Sequence, residues 1–295
     1  MKKYFFISIF LFTGLILNAQ GEIGISGSLG WDNGRMDTVV SLDLASAGLK
    51  LPAGRTQAEA LLGYGFQSLI MPGLLALQVD SSSTIADLID RGEISLSEAE
   101  IIAMNANSIA PSLSPDMRSI TASYSISIAN IRNALLKHSR SASVIRTLNP
   151  VSSAQYTGII IIAVEELPAH GMRGKEMPVP CLFPKIWDSE MNLIYDRSMI
   201  DPPFTNAAIV KYSAAENIFQ NNPSGLSQEL REIAGDRPLR IFARGVFGIK
   251  PTDLIIDRRD ALLIISSEEN RRLLSEGKVV FVLDDSVLRN NFSGK

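Results

Sequence analysis

The stretch Ser119-Ile-Thr-Ala-Ser-Tyr-Ser-Ile-Ser-Ile128 decides the fold. Ile120, Ala122, Tyr124, Ile126 and Ile128 alternate with Ser119, Thr121, Ser123, Ser125 and Ser127. A period of two places one kind of side chain on each side of a pleated strand. The apolar side needs a core and the hydroxyl side accepts water, which predicts a strand of an antiparallel sheet with one wet face. Upstream, Val40, Leu42 and Leu44 alternate with Ser41 and Asp43 and predict a second half-buried strand. Between the two strands, Ala58, Leu61, Leu62, Gly65, Phe66 and Leu69 recur at helical spacing, giving a helix that stops before Pro72-Gly73. Leu74 to Val79 then reads as a buried strand and Ser83 to Ile89 as a short amphipathic helix. Ser95-Leu-Ser-Glu98 is a capping box that opens a helix running to about Ile109. Ile131 to Lys137 predicts a helix after the wet-faced strand.

The polar, Ser/Arg-rich segment His138 to Ser153, with Pro150 near its end, marks a domain boundary. Beyond it, Gly158 to Val164 is a continuous apolar strand. Phe183 to Trp187 and Leu193 to Tyr195 flank the turn Asp188-Ser-Glu-Met-Asn192, as in a hairpin. Ser227 to Ile233 predicts a helix, Leu239 to Val246 a strand, Asp257 to Leu274 a helix, and Val279 to Leu283 a closing strand. The class expected is α+β: two small domains, 37–145 and 154–286, with antiparallel or mixed sheets packed against helices. Residues 20–36 are expected to be a flexible mature N-terminus and 287–295 a tail. Gly21, Gly24, Gly27 and Gly30 lack the spacing and the strand-to-helix setting of a dinucleotide loop.

The N-terminus has its own logic. Lys2 and Lys3 precede an apolar run from Tyr4 to Leu17 and a small residue, Ala19. Positive, apolar and small in that order is a secretory signal peptide, with cleavage expected near Ala19. The run falls short of the ~20 apolar residues that span a bilayer; an uncleaved anchor is the rival reading. The expected location is the periplasm or beyond. Hydrophobic residues make up 46% of the 295 and charged ones 20%, as in a packed globular chain. A net charge of −3 without a basic cluster argues against nucleic acid. The lone Cys181 rules out an intrachain disulfide, and burial as a small apolar side chain is the expected role.

Chemistry-bearing patterns are sparse. His138 and His170 are the two histidines, and neither stands in a context that names a nucleophile; no G-x-S-x-G elbow is present. Glu165-Glu166 and Asp284-Asp285 are adjacent acids without calcium-loop spacing, which suits solvated strand ends. Arg271, Arg272 and Lys278 suit a helix face and its C-terminal turn. No catalytic, cofactor-binding or metal-ligating residue is assigned. The hydroxyl face of 119–127 is either a plain wet sheet face or a strand open to β-augmentation.

Taken in order, Gly54-Arg-Thr-Gln-Ala-Glu-Ala60, Leu74–Val79, Ser83-Thr-Ile-Ala-Asp-Leu88 and the strand Met117–Ala129 resemble the LPP-type (FlgP-like) domain of bacterial envelope proteins. Tyr156-Thr-Gly-Ile-Ile-Ile, Phe183-Pro-Lys-Ile-Trp-Asp188, Asn192-Leu-Ile-Tyr195, Arg237-Pro-Leu-Arg-Ile-Phe-Ala243, Thr252-Asp-Leu-Ile-Ile256 with Asp260-Ala261, and Val279-Val-Phe-Val-Leu-Asp284 resemble the companion C-terminal segment of such proteins. Members of that group often carry a lipidated cysteine at the cleavage site, whereas Asn18-Ala-Gln-Gly21 stands there in this chain, so no lipid anchor is expected by that route. An Asp-Ala-Arg-Gly-like turn usual in the second half is replaced by Ala163-Val-Glu-Glu166 and a longer loop through His170, Arg173 and Pro178. The resemblance implies a non-catalytic assembly or scaffold protein whose partners are envelope or flagellar proteins or its own copies, without nucleic acid or cofactor. The alternatives are a secreted carboxylate-dependent hydrolase, which needs a deep pocket with two acids, and a periplasmic small-ligand binding protein.

Overall fold

A computed structural model describes residues 23–136, 140–201 and 209–294. In chain order the first half holds strands β1 (Ile23–Gly30) and β2 (Arg35–Asp43), helices α1 (Arg55–Leu75), α2 (Ile85–Asp90) and α3 (Leu96–Met104), strands β3 (Asn107–Leu113) and β4 (Ser119–Ser127), and helix α4 (Ile128–Leu135). The second half opens with strands β5 (Ile159–Ala163), β6 (Leu167–Pro168), β7 (Lys175–Glu176), β8 (Ile186–Asp188), β9 (Leu193–Tyr195) and β10 (Lys211–Ala214). It continues with helix α5 (Gln228–Ala234), strands β11 (Leu239–Phe242), β12 (Gly245–Phe247) and β13 (Asp253–Ile256), and helices α6 (Arg258–Ile265) and α7 (Glu268–Ser275). Strand β14 (Val279–Leu283), helix α8 (Asp285–Leu288) and strand β15 (Arg289–Gly294) follow. The class is α+β.

The first half is a five-stranded antiparallel sheet in the order β15-β1-β2-β4-β3. Alternation along β2 and β4 works as the sequence predicts: Met36, Val40 and Leu42 face inward opposite Ile126, Ala122 and Ile120. Helix α1 covers that inner face with Ala58, Leu62, Phe66, Ile70 and Leu74, a stripe at i, i+4 and i+8. The Phe66 ring stacks on Tyr124 at 3.9 Å between centroids. Both short helices start on capping boxes, Thr84 with Asp87 and Ser95 with Glu98.

The second half is built on a parallel sheet, β10-β14-β5-β11, and a mixed one, β12-β13-β8-β9. Strands β5, β13 and β14 are buried residue by residue, as parallel strands covered on both faces must be. One hydrophobic core runs through both halves, from Ile25 to Leu288.

Several expectations need correction. Leu74 to Val79 is not a strand. Helix α1 passes through Pro72 to Leu75, because proline removes a single helical bond while Leu74 becomes fully buried. The helix expected up to Ile109 ends at Met104, and Asn107 already pairs with Ser125. The expected helix 257–274 breaks at Ser266–Ser267, where the Ser267 hydroxyl caps α7 by accepting from Asn270 N. The strand expected over 239–246 splits, so that β11 joins the parallel sheet and β12 the mixed one. Residues 23–30 are not a flexible N-terminus, since β1 pairs on both sides. Nor is 287–294 a tail: β15 returns from the second half to become the edge strand beside β1.

Candidate functional site

The outer face of the five-stranded sheet is an open trough of about 860 Å³. Register builds it in rows that cross the strands. Asn291, Ser28, Asp37, Ser125 and Asn107 stand side by side on β15, β1, β2, β4 and β3. The neighbouring row is Ser293, Ser26, Val39, Ser123 and Ile109. On the other side Arg35 lies opposite Gly30 and Ser127. Most of these outward positions carry short polar side chains, while Val39 and Ile109 are exposed apolar ones and Arg35 is long and cationic.

Few of these groups are committed to one another. Ser125 Oγ donates to Asp37 Oδ1 at 2.6 Å and orients that carboxylate. Among the described residues, the hydroxyls of Ser26, Ser28, Ser123 and Ser127, the amides of Asn107 and Asn291, and the Arg35 guanidinium make no side-chain hydrogen bond to protein. The three inner strands β1, β2 and β4 are paired on both sides, so their groups ride on a rigid lattice, with repeats of roughly 6.8 Å along a strand and ~4.8 Å across.

Arg35 and Asp37 also line a second cleft of about 350 Å³ shared with the second half, together with Asp32, Tyr212, Asn217 and Glu229. Its acids are engaged. Arg289 Nη2 donates to Asp32 Oδ2 at 2.6 Å, and Lys211 Nζ lies 2.7 Å from Glu229 Oε1. Partial burial would raise the Asp32 carboxyl, but Arg289 and the Asn33 backbone outweigh it and hold it below its ordinary value. A carboxyl held ionised is a poor general acid.

The second rim differs. Leu96, Ile101 and Met104 lie exposed on α3, and Ile109 (70% exposed) follows on β3. Strand β3 is one edge of the sheet, opposite β15, with a bulge between Ile109 and Ser112. Strand 119–127, expected as a candidate for augmentation, is interior and already paired on both sides.

The residues weighed in the sequence fall elsewhere. His170 is exposed, packs its ring edge-on to Phe247 at 6.0 Å, and its backbone N–H donates to Val246 O. His138 lies outside the described residues. Cys181 is buried, and burial pushes its thiol pKa up. Glu165 and Glu166 are exposed after β5. Asp284 caps α8 by accepting from Ser286 N at 2.9 Å, and Asp285 opens that helix. Arg272 and Lys278 both pair with Glu276, at 2.6 and 2.7 Å, while Arg271 donates to Ile265 O. Among the described residues, no group of three or more metal-ligating side chains comes together, and no helix is long and apolar enough to cross a membrane.

Residues 22–134 match the family model described as the N-terminal domain of Treponema pallidum Tp0624, and residues 158–285 match that of its second domain. The chain carries both Tp0624-type domains. Together the matches take in most of the chain, and they lend nothing to the LPP-type resemblance. Comparison with curated proteins gives no match. Strand β15, which contributes Asn291 to the trough, lies outside both Tp0624-type segments.

The sequence did not single out Arg35, Asp37, Asn107 or Asn291. The alternation that identified β2 and β4 places Arg35 and Asp37 on the same outer face as the serines. Asn107 and Asn291 carried no such signal, since one lay in an expected helix and the other in an expected tail.

Proposed function

We propose that this chain is a non-catalytic protein of the bacterial envelope, an assembly or scaffold factor that works through protein–protein contacts after export and removal of Met1–Ala19. The observation that carries this reading is the α3–β3 rim. Leu96, Ile101 and Met104 are large apolar side chains exposed on α3, and the chain leads from that helix into β3, an edge strand of the sheet. Exposed apolar side chains and open edges are what partner proteins cover, and methionine is enriched where they do so. The envelope setting and the flagellar or outer-membrane link come from the signal-like N-terminus and the LPP-type resemblance.

The test is crosslinking and pull-down of the full-length protein from its native envelope, beside a variant carrying Ile101→Lys and Met104→Glu. Both residues are exposed, so the variant keeps the parent's melting temperature within about a degree of noise expected for surface changes. The expected result is a discrete set of crosslinked partners or self-oligomers, lost in the variant. Recovery of the parent only as a free monomer would overturn the scaffold reading.

A further inference from the structure

We infer that the edge strand β15 docks an extended segment of a partner protein, one with apolar side chains at alternate positions and a basic residue at the end beside Arg289. This goes beyond the scaffold reading and rests on different residues. Sheets protect exposed edges with prolines, bulges and charges. The β3 edge carries both Pro111 and the bulge after Ile109. The β15 edge has neither, and it pairs with β1 in unbroken register from Ile25–Gly294 to Gly30–Arg289. Among the described residues, the backbone of β15 bonds to no segment but β1. Its outward N–H and C=O groups are therefore free to pair with a further strand, as in β-augmentation.

A cleft of about 390 Å³ opens along the same edge. Its apolar members include Leu29, Trp31, Leu77, Val179, Pro180 and Val287. Asn290 ends the inward row Met36–Leu29, so a residue added next to it continues that row into the cleft. Alternate residues of a strand share a face, which sets the apolar alternation expected of the partner. The Gln78 amide, a polar member of the lining, already donates to Asp80 O and Ser83 O. Charge marks one end of the edge. Arg289 donates to Asp32, and Asp285 and Glu216 also favour its charged form. One cation among three carboxylates leaves that end acidic, and a partner's Lys or Arg complements it. A second copy of this chain fits poorly. Its β15 offers one half-buried apolar side chain, Phe292, which is already seated against its own Gly27.

The test titrates the full-length protein with acetylated peptides of about eight residues, a common strand length. Each alternates threonine with valine, leucine or phenylalanine and carries a pair of lysines, placed first in one set and last in the other, so that both strand directions are sampled. The expected result is saturable binding that weakens with salt, with slowed amide exchange at Asn290 to Ser293. Ala76 lines the cleft and is exposed. Ala76→Arg fills the cleft and should weaken binding at least about tenfold, the loss of one buried apolar side chain, while thermal melting stays at the parent's value. Absence of saturable binding by every peptide would overturn the inference, as would binding that Ala76→Arg leaves unchanged or that slows exchange at β3 instead. Concentration-dependent dimers seen by sedimentation and lost in Ala76→Arg, without peptide binding, also overturn it in favour of a second copy. The Ile101→Lys, Met104→Glu variant separates the two readings: it should keep peptide binding whatever happens to the partners of α3.

Discussion

Two buried aspartates show how much a single residue's surroundings decide. Asp188 and Asp253 are both fully buried, on adjacent strands β8 and β13 of the mixed sheet. Burial pushes up the carboxyl pKa of each. For Asp188 the Asn192 amide, its backbone N–H and the Arg258 guanidinium reverse that push, and the carboxyl lies below its ordinary value. For Asp253 burial wins, although Trp187 Nε1 and Lys185 N–H donate to it at 3.2 Å and Ser81 Oγ at 3.1 Å. The consequences for pH have opposite signs. The depressed Asp188 contributes stability above its unfolded pKa of about 3.9, and that contribution is lost as pH falls through the folded value. The raised Asp253 contributes most below about pH 3.9, and its contribution declines as pH rises through its folded value. Melting curves of Asp188→Asn should therefore fall furthest below the parent near neutral pH and converge with it on acidification. Asp253→Asn should gain on the parent as pH rises from about 4 to 7. Parallel slopes for the two variants would contradict the assignment. The turn Asp188–Asn192 was legible in the sequence as a hairpin; its closing charge pair was not, because Arg258 lies seventy positions away.

At the scale of elements, strands with strict alternation were legible and strands without it were not. Strands β2 and β4 declared themselves because each separates apolar from polar side chains residue by residue. Strands β3 and β15 are polar edges with few buried side chains, so their sequences carry no period. Their pairing is fixed by neighbours rather than by their own composition. Gly27 shows how β15 is held. Phe292 lies opposite it in the register, and a Cβ on Gly27 would stand 2.7 Å from Phe292 Cζ and 2.5 Å from Asp37 O. The glycine is thus a socket for the one half-buried side chain of β15. Gly27→Val is expected to cost about 1–3 kcal/mol, the usual range for overpacking. Its effect should concentrate on β15: amide exchange of Asn290 to Ser293 should quicken while that of β5 and β14 in the parallel sheet stays slow. Uniform loss of protection across both sheets, or none at β15, would show that the socket does not hold the strand.

At the scale of the whole molecule, the two Tp0624-type domains are tied together at several places. Strand β15 enters the first sheet from the second half, and Trp31 N–H donates to Leu288 O at 2.9 Å where it arrives. The Trp31 ring meets Tyr212 edge-on at 5.7 Å. On another side the segment 78–83 docks by backbone bonds, with Leu182 N–H donating to Gln78 O, Phe183 N–H to Val79 O and Lys250 N–H to Ser81 O. Ser81 Oγ completes this contact on buried Asp253. The boundary segment read from the sequence suggested two bodies on a polar linker, but composition along a chain does not report a strand that returns to the first sheet from the other end. A core shared across both halves cannot be opened in one without exposing apolar surface in the other, so unfolding should be cooperative. Calorimetry should show one transition whose calorimetric and van't Hoff enthalpies agree, rather than two resolved peaks. Deleting 289–294 removes the crossing strand and the Arg289–Asp32 pair while leaving the contact of segment 78–83 with the second half intact. The truncated chain should melt earlier and show a broadened or split transition, with the first sheet opening before the parallel sheet. Two separate transitions in the intact chain would mean that the shared core does not couple the domains and that β15 is a passenger rather than a clasp.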